Sequence, residues 1–249
     1  MFKYCRVALV AILVFHLIVS CSKSTKNPSR TDDTETPVDF SPKENEEAEL
    51  VALCLSGELI APDTLYDDVL HDLTAIRAEF GDTLQAVNAI EFRPPWWRVS
   101  YLLMAFDESA AQLIADGQYH AWDQLNEYYH VTEIKIGGHG CVWLVFDGRL
   151  NPYRLAEQYE VLPGVLYAEP NFRDGDGPNV YARQTDLGFS YLFRYARGDC
   201  PVECTYNEYW YFVCEDDGPV FIGHWVFRHE PEPEWWQEAR LNREHYCDP

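Results

Sequence analysis

The stretch from Asn151 to Asn171, NPYRLAEQYEVLPGVLYAEPN, leaves the chain few choices of fold. Asn151 is suited to cap a helix, because its side-chain oxygen accepts an orphan backbone N–H, and Pro152 fits the first helical turn. Leu155, Ala156, Tyr159 and Leu162 recur at i, i+1, i+4 and i+7, which draws one apolar stripe along a single helix face. Pro163 has no N–H to donate and Gly164 enters the left-handed region at little cost, so the helix stops there. Val165 to Ala168 then read as a short strand. A helix that returns through so tight a turn into a strand must pack on a sheet already in place.

Reading outward from this unit gives the rest of that sheet. Arg98 to Phe106 alternates as a strand, and Glu108 to Ala115 opens a helix that Asp116-Gly117 interrupts. Trp122, Leu125 and Tyr129 resume an apolar face. Val131 to Ile136 and Cys141 to Phe146 are two further strands joined by Gly137-Gly138-His139-Gly140. The order is β-α-β-β-α-β, a ferredoxin-like arrangement within the α+β class, with two helices on one face of a four-stranded antiparallel sheet. Upstream, Glu44 to Leu55 suits a short helix and Glu58 to Ala61 an extended segment. Asp63 then caps a helix whose Leu65, Val69, Leu73, Ile76 and Phe80 share a core face before Gly81. Downstream, a loop from Arg173 to Asn179 precedes two aromatic strands, Tyr206 to Cys214 and Pro219 to Phe227, that form a hairpin about Asp216-Asp217-Gly218. The Pro- and Glu-rich end, 230–249, is expected to lie across the surface, tied down at Cys247.

Two resemblances enter on particular residues. Leu162, Pro163, Gly164, Val165, Glu169 and Pro170 match the run LxxLPGVxxxEP that closes subtilisin-type protease propeptides, and the match extends over about residues 98–171. The resemblance implies a small domain that contacts a protease. It also implies that the segment after the last strand, Asn171 to Asn179, approaches the protease cleft, with Glu169, Pro170 and Asn171 as candidate contact residues. The 78 residues from Phe172 to Pro249 carry none of that family's Asp, His and Ser catalytic motifs. At the other end, Lys3 and Arg6 precede an apolar run from Val7 to Val19, the pattern of a secretory leader. Ile18-Val19-Ser20-Cys21 resembles the lipobox of bacterial lipoproteins, which implies lipidation of Cys21. The acyl chains would hold the protein to a membrane at about 0.8 kcal/mol per buried CH2, and Ser22 after the cysteine points to the outer membrane. The expected organisation is a leader over 1–21, a disordered tether over 22–45, a helical extension over 46–97, the propeptide-like domain over 98–171 and a cysteine-containing hairpin region over 172–249.

Charge narrows the partners. The net −22 repels nucleic-acid phosphates and anionic headgroups, so no nucleic-acid partner is expected. Setting aside Cys5 and Cys21 leaves Cys54, Cys141, Cys200, Cys204, Cys214 and Cys247, an even number that favours disulfides in an exported protein. The expected bridges are Cys200–Cys204 and Cys214–Cys247, with Cys54 and Cys141 either joined or left as thiols. Cys200-x-x-x-Cys204 is not a C-x-x-C redox pair. A zinc site using His224 or His229, and a calcium loop at Asp174-x-Asp176, are weighed against plain solvated residues, and no metal or cofactor is expected. His139 has no partner at a useful spacing, and His71, His120 and His130 lie on helices or at their ends, where a partly exposed histidine is the default. Neither a phosphate loop, a G-x-S-x-G elbow nor an H-E-x-x-H helix occurs. Trp96-Trp97 and Trp235-Trp236 offer two readings: exposed stacking surface for a glycan or peptide, or packing between the N-terminal helix and the sheet. The chain thus reads as a non-enzymatic, lipid-anchored envelope protein whose middle domain makes protein contacts.

Overall fold

The computed structural model describes residues 38–96, 100–172, 175–198, 200, 204–244 and 247. The leader, Cys21, most of the tether, Trp97, Arg173 and Asp174 lie outside the described residues. From Asp39 to Pro249 the chain forms one contact unit. Its elements are α1 (Glu46–Ser56), α2 (Asp63–Phe80), α3 (Gln85–Ala89), β1 (Tyr101–Phe106), α4 (Glu108–Ala115), α5 (Asp123–Tyr128), β2 (Val131–Ile136), β3 (Cys141–Phe146), α6 (Pro152–Tyr159), β4 (Val165–Pro170), β5 (Asn179–Thr185), β6 (Gly188–Arg197), β7 (Tyr206–Glu215), β8 (Gly218–Val226), α7 (Trp236–Ala239) and α8 (Leu241–Glu244). The class is α+β, with two four-stranded sheets ordered β2-β3-β1-β4 and β5-β6-β7-β8. All strand pairs are antiparallel.

In the first sheet the local signals around α6 act together. Asn151 accepts from Tyr153 N at 3.0 Å, and Leu155, Ala156 and Tyr159 are buried. Gly164 has φ +78°, and a Cβ there would stand 2.5 Å from Ala110 Cβ, so a side chain is excluded twice over. Its carbonyl accepts from Asp107 N at 2.8 Å, and Asp107 in turn caps α4 by accepting from Ala110 N at 2.8 Å. The turn after α6 is thereby locked onto the start of α4. Leu102, Met104 and Phe106 of β1, with Val142, Leu144 and Phe146 of β3, point toward these helices and form one core with Ile114, Leu155 and Tyr159.

The second sheet is larger than the hairpin read from the sequence, because β5 and β6 complete it. β6, GFSYLFRYAR, buries residues on both faces and therefore lacks the polar alternation that marks a half-buried strand. Tyr191 and Phe193 face α1 and α2, joining Val51, Leu53, Val69, Leu73 and Ile76. Leu192 faces the other way, toward Tyr209, Trp225 and Ala239. The helical extension thus covers one face of the second sheet, and α7 lies over the other. Asp63 is the first residue of α2 and not its cap, which is Pro62. Its carboxylate bonds Lys43 instead.

The disulfides depart from expectation at Cys214 and at Cys54, which is neither joined to Cys141 nor left as a thiol. Cys200–Cys204 is bridged, but Cys247 joins Cys54, 193 residues away, and Cys214 is a buried thiol without a bridge. Cys214 lies on β7, facing the core made with α1 and α2. The tail reaches that core at Cys54 of α1, so the bridge fastens the chain's end to its first described helix.

Candidate interaction face

The helix-covered side of the first sheet is closed, and its other side carries charged and aromatic residues. Register sets the contents of that side. Lys135 pairs with Trp143, Trp143 with Leu103, and Leu103 with Glu169, so one row across all four strands reads cation, indole, isobutyl, carboxylate. The flanking rows place Glu133, Val145 and Tyr101 on one side and Cys141, Ala105 and Tyr167 on the other. Leu103, Trp143 and Val145 are half-buried, and none belongs to the three apolar clusters. Among the described residues this face carries no covering helix. Gly137 sits under the indole, since a Cβ there would fall 2.6 Å from Trp143 Cζ3.

The rim is polar and ordered. Lys135 Nζ donates to Tyr101 Oη at 2.9 Å and lies 3.2 Å from Glu133 Oε2. Burial raises the Glu169 carboxyl above its ordinary value, because the face removes part of its water without supplying a cation. Of the residues singled out by the propeptide-like motif, Glu169 is therefore on this face. Pro170 pairs opposite Leu102 and is buried, and Asn171 is half-buried.

The described residues that follow are fastened at several points. Phe172 bridges Trp96. Arg194, 2% exposed, donates through both terminal nitrogens to Asp176 and through Nε to Asn207 Oδ1 at 2.7 Å. Asp176 Oδ2 also accepts from Cys204 N at 3.0 Å, and Asp176 N donates to Cys200 O at 2.8 Å, which ties the small disulfide loop to the same point. Burial opposes ionisation of Asp176, yet the bonds from Arg194, Cys204 N and Gly177 N outweigh it and hold the carboxyl at about 2. Asn179 Oδ1 accepts from Arg93 N at 2.7 Å, and its amide donates to Arg93 O at 3.1 Å. Asp176 is thus the anion for a buried guanidinium, while Asp174, its partner in the candidate calcium loop, lies outside the described residues.

The remaining candidates scatter. Trp96 is 1% exposed and belongs to the core, so it presents no stacking surface. Trp235 and Trp236 are half-buried, Trp235 stacked on Tyr211 at 5.7 Å and Trp236 against Tyr209 at 4.8 Å. Trp96 packs with α1 and α2, whereas Trp235 and Trp236 pack with Ala239 of α7 on the opposite face of the second sheet. His224 contacts Glu208 at 2.6 Å, and among the described residues no cluster of three His, Cys, Asp or Glu side chains is placed to hold a metal. Cys214 is held protonated by burial and by the nearby Asp72, whose carboxylate accepts from Tyr191 Oη at 3.0 Å. A thiol in that state is a poor nucleophile. A groove of about 500 Å³ between α4 and the β2–β3 turn has Phe106, Ile114 and Val142 in its wall and Glu108, Gln112 and His139 among its polar residues. No described helix is long and apolar enough to cross a membrane. Compared with known proteins, the chain matches no family model, no curated protein and no solved structure.

Proposed function

We propose that this chain is a non-enzymatic protein-interaction module that docks through the open face of the β2-β3-β1-β4 sheet, in the manner of a subtilisin-type protease propeptide. On this reading the 101–170 unit is a ferredoxin-like plate, the partner is a subtilisin-type protease, and acyl chains on Cys21 keep the module at the outer membrane of a bacterial envelope. The observation that carries it is the row Lys135–Trp143–Leu103–Glu169: an apolar centre between two opposite charges. Such a surface gains from being covered, and an indole beside an aliphatic side chain is the composition of an energetic anchor. The order of strands, the helices confined to the other face and the Glu169-Pro170 ending support the family reading. The fastening of Phe172, Asp176 and Asn179 favours contact through the face over insertion into a cleft.

The test is titration of the full chain against a panel of immobilised subtilisin-type proteases, with residual activity measured in parallel. Saturable binding is expected, weakened at least about tenfold by Leu103→Glu, with circular dichroism unchanged. A panel with neither binding nor inhibition would remove the protease as partner, and binding indifferent to Leu103→Glu would remove the face.

A further inference from the structure

β2 forms one edge of the first sheet, and its sequence, VTEIKI, is complementary to itself. Ile134 and Ile136 are 41% and 60% exposed, although both lie on the side of the sheet that packs on helices in its interior. Gly137 N donates to Cys141 O at 2.8 Å. Because antiparallel hydrogen bonding alternates, Glu133 and Lys135 turn their backbone groups inward to β3, while Ile134 and Ile136 turn theirs to the outside. The opposite edge differs: β4 ends on Pro170, which has no N–H to offer.

We infer that β2 pairs with β2 of a second copy, antiparallel about Ile134, so that two first sheets join into one continuous sheet. Around a twofold axis at Ile134 the outward N–H and C=O of each Ile134 bond the other's. Glu133 then stands directly opposite the partner's Lys135, and Lys135 opposite the partner's Glu133. Sliding the pairing by two residues either way places Glu133 against Glu133 or Lys135 against Lys135, and like charges directly opposite are destabilising. Sliding by one breaks the match of outward backbone groups. Among these registers only the one centred on Ile134 satisfies both conditions. Charged side chains on an edge strand ordinarily deter pairing, but this opposite-sign couple two residues apart deters other strands and admits its own copy. The net charge of −22 opposes association at long range, yet at about 0.15 M salt it is screened beyond about 8 Å, and the contact charges decide. Pairing at the edge leaves the open faces uncovered, so this inference stands or falls separately from the protease reading.

Cysteine trapping tests the register. In a hydrogen-bonded antiparallel pair the Cα atoms are about 5.5 Å apart, within the span of a disulfide. Ile134→Cys in the full chain, under mild oxidation, is expected to give a covalent dimer on a non-reducing gel. Ile136→Cys is expected to give none, because its copies stand about four residues apart along the strand, roughly 13 Å. Ile222→Cys on β8, of similar exposure, should also stay monomeric. Sedimentation of the unmodified chain should show a dimer that Lys135→Glu weakens at least about tenfold and that Glu133→Lys with Lys135→Glu restores. A monomer at high concentration, a dimer that does not trap at Ile134, or a double exchange that fails to rescue a folded protein would each overturn the inference.

Discussion

Replacing Asp176 by Asn removes one charge from the most buried ion pair in the described residues and leaves Arg194, 2% exposed, without its counter-ion. Two routes give the cost. The carboxyl is held at about 2 against an ordinary 3.8, and at about 1.4 kcal/mol per pH unit that corresponds to about 2.5 kcal/mol of native-state stabilisation. Breaking a buried pair by removing one partner costs about 3–5 kcal/mol in general. The amide oxygen of an Asn side chain would still accept from Cys204 N, which favours the lower figure. We expect about 3 kcal/mol, or a fall in Tm of about 6–12 °C for a chain of this size, read by urea and thermal unfolding at pH 7. The pH dependence has a definite sign. A carboxyl depressed in the native state stabilises above its unfolded value and loses that contribution as pH falls, so the gap between the two proteins should close between about pH 4 and pH 2. A loss under about 1 kcal/mol at pH 7, or a gap that persists unchanged to pH 2, would refute the reasoning.

Three further outcomes follow from the same geometry. Cys54→Ala with Cys247→Ala opens a bridge spanning 193 residues and should cost about 2–5 kcal/mol, with new proteolytic cuts after β8. An unchanged Tm and digestion pattern would contradict it. Glu169→Gln should raise stability at pH 7, because burial lifts this carboxyl and its ionised form weighs against the fold. The advantage should fade as pH falls through the ordinary carboxylate range, and urea midpoints measured across pH check both statements. Gly137→Ala should displace the Trp143 ring, whose Cζ3 stands 2.6 Å from the added Cβ, and so weaken partner binding while the far-ultraviolet spectrum stays the same. Full binding by that variant would show that the indole takes no part.

The legible parts of this chain are those governed by near neighbours. Asn151, Pro152 and Gly164 each act through a bond or a φ value within a few residues, so the start of α6 and the turn after it can be read from the string. The strands of the first sheet show because each has one face toward helices and one away. β6 fails that test: with Tyr191, Leu192 and Phe193 all buried, its period is lost, and half of the second sheet goes unread. Cys247 is misassigned to Cys214 because closeness along the chain is a weak guide once a tail can reach back to α1. Trp96 follows two prolines, which leaves exposed and packed readings both open, and its place in the core comes from α1, α2 and the second sheet, which local pattern does not encode. Glu169 is legible as part of a motif, while its row-mates Leu103, Trp143 and Lys135 become a site only when register is known.

The two sheets also differ in what they have left to offer a partner. The central strands of the second are packed on both faces, by α1 and α2 on one side and by α7 on the other, so most of its apolar surface is already spent on folding. The first sheet keeps a half-buried apolar row on its uncovered side. The propeptide-like reading contains a choice between this face and the segment after β4, and Asp176 separates them. Freeing that segment to enter a cleft requires breaking the Arg194 contacts, an outlay of about 3 kcal/mol, equivalent to more than a hundredfold in affinity. If the segment were the contact, Asp176→Asn would remove that barrier and tighten protease binding. If the face is the contact, the same variant loses stability and binds as before, provided the measurement is made where it is fully folded. Binding that strengthens in Asp176→Asn would therefore transfer the site from the sheet to the segment.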